Sequence, residues 1–97
     1  MNKIFKEEDI KIKLKDIFIN SLNIDPNYMT EKNYDSNLLG NIWRFTPRDL
    51  VYLFFEVEEK FFIKIPEENI INGDFKTFNN IVKIINKQLN NISSEPA

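Results

Sequence analysis

Residues 46–66 read TPRDLVYLFFEVEEKFFIKIP, a capped amphipathic helix followed by a short extended exit. The Thr46 hydroxyl can accept backbone N–H groups of the first turn, Pro47 has the fixed φ of a first helical position, and Asp49 completes a capping-box-like T-x-x-D. Leu50, Leu53, Phe54, Val57 and Phe61 then recur at helical spacing, so one face of this helix is expected to be core. Val51, Phe55 and Phe62 flank that stripe, and Arg48, Tyr52, Glu56 and Glu59 fall on the opposite side. The apolar surface is wider than a single core face needs.

Downstream, Ile63, Ile65 and Pro66 read as a brief extended segment, and residues 67–71 as one short helical turn before Gly73. Asp74 or Thr77 is expected to cap a last helix with the stripe Phe78, Ile81, Val82, Ile85 and Leu89, and with Lys83 and Lys87 towards its C-terminal end. Upstream, a first helix is expected from Glu7 to near Asn23, with Glu7, Glu8 and Asp9 at its positive end and Ile10, Leu14, Ile17, Phe18 and Leu22 buried. Residues 24–45 read as a long ordered loop. Its turn chemistry is Asp25-Pro26-Asn27, Asp35-Ser36-Asn37 and Gly40, and its apolar anchors are Tyr28, Met29, Leu38, Leu39, Ile42 and Trp43. A structureless loop of that length is uncommon, so a helical turn is expected at residues 37–39. Residues 1–6, with Ile4 and Phe5, either fray or fold back over the core, and the tail from Asn90, residues 91–97 above all, is expected to be mobile. The expectation is a single all-α domain over residues 1–97, core about 8–90: a small bundle of three main helices plus one short one.

With 97 residues the chain can bury roughly 60–65% of its unfolded surface. At 42% hydrophobic and 29% charged residues it falls among globular chains, not disordered ones. The absence of Cys and His removes disulfides, thiolate ligands, the usual general base and the commonest metal ligand. Thirteen Lys and Arg against fifteen Asp and Glu give a net charge of -2, which carries no footprint for nucleic acid. The opening MNKIFKEED turns acidic before any apolar run, and no run approaches ~20 residues, so a cytoplasmic location without membrane contact is expected.

The order x-L-x-x-L-F-x-x-V-E-E-x-F, then I-x-I-P-E-E, then a final T-F-x-x-I-V-x-I-I helix, resembles the acyl and peptidyl carrier proteins. The resemblance spans about residues 8–90, through Asp49, Leu53, Val57, Glu58, Glu59, Phe61, Ile65, Pro66, Glu67, Glu68, Thr77, Phe78, Ile81, Ile84 and Ile85. More narrowly, LLGNIWRFTPRDLVYLFFEVEEKF is similar to acyl carrier-related proteins of clostridial, bacteriocin-like peptide maturation systems. The resemblance implies an acyl-carrier-like bundle. It also implies 4′-phosphopantetheine on a Ser of an Asp-Ser-Leu motif, at the start of the helix that ends in Glu-Glu-x-Phe. Here that register is Thr46-Pro47-Arg48, and Pro47 has no hydroxyl. No cofactor is therefore expected.

Two hydroxyls stand as outside candidates for attachment. Thr46 lies one residue before the register, where its hydroxyl is the natural cap. Ser36, in Asp35-Ser36-Asn37-Leu38, imitates Asp-Ser-Leu, but a helix starting there would have to cross Gly40 and Thr46-Pro47; a turn or local cap is the competing reading. Glu56, Glu58, Glu59, Glu67 and Glu68 contain the elements of a metal or acid/base cluster, against which stands a solvated acidic face. Tyr34, Trp43 and Phe45 either line a ligand groove or anchor the loop. Arg48, Val51, Tyr52, Phe55, Glu58 and Glu59 form the expected partner face, with burial of Val51 and Phe55 under the Trp43 loop as the alternative.

These readings imply a non-enzymatic interaction module. Its expected partner is a peptide-modifying, adenylating or transferase enzyme, or the precursor peptide. The alternatives are a working carrier modified at Ser36, and a small helical immunity or regulatory protein.

Overall fold

The structure, a computed structural model, describes residues 6–94 of the chain. Among these residues the architecture is all-α: helix α1 (Glu7–Asp16), helix α2 (Pro47–Phe61), the short helix α3 (Glu67–Ile71) and helix α4 (Phe78–Ser94). The expectation for residues 1–5 lies outside the described residues.

Helix α1 carries Glu7, Glu8 and Asp9 in its first turn and buries Ile10 and Leu14. Its final turn widens to a π-helical turn, Ile17–Ser21, with Leu22 N–H donating to the Ile17 carbonyl at 3.2 Å and Ile24 N–H to that of Phe18 at 3.0 Å. Asn23, at φ 58°, ends the run in the left-handed conformation that Asn tolerates better than most residues. The widened turn sets Ser21 Oγ–H on Glu56 Oε1 at 3.0 Å, which ties α1 to α2. Glu56 thus belongs to the helix-helix junction, with only 15% of its side chain exposed, and not to the outer side its spacing suggested.

Helix α2 starts as its sequence dictates. Asp49 N–H donates to Thr46 Oγ1 at 3.2 Å and Thr46 N–H to Asp49 Oδ2 at 2.8 Å, so the capping box is closed in both directions. Leu53, Val57 and Phe61 are buried, and Leu50 and Phe54 pack partly covered against them. The helix ends on Phe62 in the left-handed conformation, with Phe62 and Ile63 N–H groups both reaching the Glu58 carbonyl. Ile63 and Ile65 then turn inward, and Ile65 N–H donates to Glu58 Oε2 at 2.8 Å.

Residues 24–45 are ordered differently from the expectation. The helical turns are 3₁₀ turns at Pro26–Tyr28 and Glu31–Asn33, the first capped by Asp25, whose carboxylate accepts Asn27 N–H at 2.9 Å. Residues 37–39 form no helical turn. The Asn37 side chain accepts Leu39 N–H and its carbonyl accepts Gly40 N–H, which closes a tight turn instead. Of the expected anchors Met29, Leu38 and Trp43 are buried, whereas Tyr28, Leu39 and Ile42 are exposed. The turn at residues 37–40 faces Leu38 inward and leaves Leu39 outside.

Phe18 is the hub of the core. Its ring meets Trp43 at 5.3 Å, Phe78 at 5.3 Å and Phe45 at 5.6 Å, and Tyr34 stacks on Phe78 at 4.0 Å. Asn33, the one buried polar residue among those described, holds the loop on this cluster: its Nδ2 donates to the Tyr28 carbonyl at 2.9 Å and its carbonyl accepts Trp43 Nε1–H at 3.0 Å. The same loop receives α4, since Asn79 N–H donates to the Tyr34 carbonyl at 3.0 Å and Asn79 Nδ2 to Asp35 Oδ1 at 2.8 Å.

Of the two candidate caps for α4, Thr77 does the capping, accepting Asn80 N–H at 3.0 Å, while Asp74 instead accepts Asn69 Nδ2. Helix α4 buries Phe78, Ile81, Val82, Ile84, Ile85 and Leu89 against α1. It continues through Ser94, so residues 90–94 are helix and not a loose tail; no helix breaker follows Thr77 until Pro96, and residues 95–97 lie outside the described part. Lys83 and Lys87 therefore lie mid-helix. No helix among the described residues is long and apolar enough to cross a membrane.

Candidate functional site

An open groove of about 690 Å³ runs along α2. Leu50, Val51, Phe54 and Phe55 of α2 form one wall, and Glu67 and Ile70 of α3 with Gly73, Phe75 and Lys76 form the other; Asn37 and Leu39 close one end. Backbone bonds assemble it from three distant segments. Leu38 N–H donates to the Lys76 carbonyl at 2.7 Å, and Phe45 N–H to the Leu38 carbonyl at 2.8 Å, one residue before the α2 cap. Gly73 turns the chain after α3 at φ 78°, the left-handed region that glycine enters without cost. Phe54 forms the floor, edge-on to Phe75 at 5.9 Å and to Phe55 at 5.4 Å.

Val51 and Phe55 are 54% and 59% exposed. They are not buried under the loop, because Trp43, which would have had to cover them, is directed onto Phe18. The expected partner face divides. Val51 and Phe55 line the groove, while Arg48, Tyr52 and Glu59 are exposed on the outer side of α2. Glu58 is partly buried, and its carboxylate serves the Ile65 N–H, so it holds the exit from α2 in place. Leu39, Ile70 and Phe75, the apolar groups that the groove takes from outside α2, were not among the predicted site residues. The unusual apolar width of α2 was the available signal for them.

The aromatic trio of the loop does not line the groove. Tyr34, Trp43 and Phe45 are each 7% exposed or less and are spent on the core. Burial, and secondarily the Glu31 carboxylate, push the Tyr34 hydroxyl above its ordinary value of 10.0. The Thr46 hydroxyl accepts the Asp49 N–H, the role of a cap. Ser36 sits on a bend after the second 3₁₀ turn, its N–H bonded to the Asn33 carbonyl at 3.1 Å, and no helix begins there. Glu56 and Glu58 serve structural hydrogen bonds, and no three acidic side chains among the described residues converge on a point.

The site offers apolar surface with sparse charge at its rim, an arrangement suited to binding. Comparison of the chain with models of known protein families and with curated proteins returns no match.

Proposed function

We propose that the protein is a non-catalytic interaction module of carrier-protein type, serving a peptide maturation system by docking a modifying, adenylating or transferase enzyme, or the precursor peptide, along α2. The observation that carries this reading is the exposure of Val51 and Phe55 beside the capped start of α2, opening into the groove. Two further facts support it. Pro47 stands at the register where a carrier needs an attachment hydroxyl, and the neighbouring Thr46 hydroxyl is engaged in the capping box. Arg48 and Tyr52 add the residue types that most often anchor interfaces, and the acidic Glu59 beside them favours a basic partner surface.

Pull-down of candidate peptide-modifying, adenylating or transferase enzymes from the native host with the purified chain tests the proposal. Tyr52→Ala and Arg48→Glu are expected to weaken capture while leaving helicity and melting close to wild type. Undiminished capture by both variants would sink the docking assignment. A phosphopantetheine adduct on Ser36 or Thr46 in the intact mass of natively expressed protein would replace it with a working carrier.

A further inference from the structure

We propose that the groove along α2 is also a self-association surface, occupied by the same groove of a second copy of this chain in an antiparallel twofold pairing. The argument is charge polarity. Lys76 rims the end near the start of α2, fixed there by the bonds from Lys76 through Leu38 to Phe45. Glu67 rims the other end, held near the last turn of α2 by the Ile65 to Glu58 bond. Arg48 and Glu59, both exposed, repeat that polarity on the outer side of α2, and the helix dipole runs in the same sense, positive at Pro47 and negative at Phe61. Asp49, the one acid in the first turn, is committed to the capping box, and Lys60, the one base in the last turn, stands 4.0 Å from the Glu56 carboxylate and does not line the groove.

A twofold axis across α2 brings the basic end of one groove against the acidic end of the other, twice. Lys76 of each copy meets Glu67 of its mate, and the helix dipoles oppose. Such a patch is self-complementary, as an isologous interface must be. It also contains both a projection and a recess, because Phe55 stands exposed beside the cavity that the facing Phe55 would enter. Four exposed apolar side chains line the groove, Leu39, Val51, Phe55 and Ile70, far fewer than the roughly 20–30 residues a side of a standard interface. The pairing is therefore weak and concentration-dependent. It goes beyond the docking reading above, needing no maturation enzyme, and it would compete with one for Phe55.

Sedimentation equilibrium of the purified chain, from micromolar to about 1 mM, is the test. The expected result is a monomer-dimer equilibrium abolished by Phe55→Asp, and equally by Val51→Asp, with the circular dichroism melt of each variant confirming the fold. Glu67→Lys or Lys76→Glu alone should raise the dissociation constant about tenfold, since the axis repeats each lost pair. The double reversal restores it. Tyr52→Ala, a residue outside the groove, should leave pairing unchanged even where it weakens enzyme capture. A monomer at every concentration overturns the proposal and leaves the groove to a different partner. So does a dimer that survives Phe55→Asp, or one in which the double reversal fails to recover what the single reversals lose.

Discussion

Replacing Trp43 with Phe probes whether residues 24–45 belong to the cooperative core. Trp43 is 5% exposed, and its indole N–H is the donor to the Asn33 carbonyl at 3.0 Å. Phe keeps a ring against Phe18 but removes that donor; the Asn33 carbonyl retains the Ser36 N–H at 3.1 Å, so the loss is one hydrogen bond, about 0.5–1.5 kcal/mol. The smaller ring also leaves a void edged by Phe18 and Phe45, worth about 1 kcal/mol or more. The sum is about 1.5–3 kcal/mol, against a total stability of roughly 5–15 kcal/mol for a chain of this length. The assay is urea unfolding followed by circular dichroism for both proteins, and by fluorescence of this single tryptophan for the wild type. The expected wild-type transitions coincide, and the variant midpoint falls without a change in slope. A fluorescence transition well below the helical one, or a loss under about 0.5 kcal/mol, would refute the reasoning by showing the loop to be a separately docked flap.

Three further outcomes follow from local geometry. Thr46→Ala is expected to cost about 0.5–2 kcal/mol, while Thr46→Ser stays near neutral, read by thermal melting; loss of function by both without a change in midpoint would make the hydroxyl chemical. Because burial and then Glu31 raise the Tyr34 pKa, the neutral phenol is favoured in the native state. Its contribution is complete below the unfolded value of about 10 and is lost as pH rises through the higher folded value, so Tyr34→Phe should flatten the stability decline above about pH 10 in urea titrations. Phe62→Gly should raise the melting temperature, relieving about 1 kcal/mol of left-handed strain at a side chain that is 86% exposed.

The elements that the sequence made legible are those whose causes are local. Thr46, Pro47 and Asp49 lie within one turn, so the start of α2 follows from three adjacent residues, and the stripes of α1, α2 and α4 follow from spacing alone. What escaped depends on contacts across the chain. Spacing placed Glu56 outside because nothing nearby reveals that a widened turn at Ile17–Ser21 brings Ser21 to it, 35 residues away. Glu58 likewise looked like surface, since its partner is a backbone N–H beyond the end of its own helix. The groove is the extreme case. Its wall residues Ile70 and Phe75, and Leu39 at its end, converge only once Leu38 has bonded to Lys76, a pairing that no periodicity encodes.

The two ends of α2 are built to different standards, and the difference bears on function. At its start every local preference agrees: a capping threonine, a proline with suitable φ and an acid completing the box. At its end a phenylalanine occupies the left-handed cap that glycine would take without strain, and 86% of that side chain is left in water. Burial cannot explain Phe62, because little of it is buried; packing at the cap cannot either, because Ile63 and Ile65 turn inward without it. Val51 and Phe55 present the same problem along the helix, apolar groups left exposed beside a core that had Phe54 available. A fold selected only for stability would have polar residues at positions 51 and 55 and a glycine at position 62. Sites that break a local rule without structural return are where surfaces used by partners are found. On that argument the docking face proposed for α2 extends along its apolar flank, from the Val51 end of the groove to Phe62.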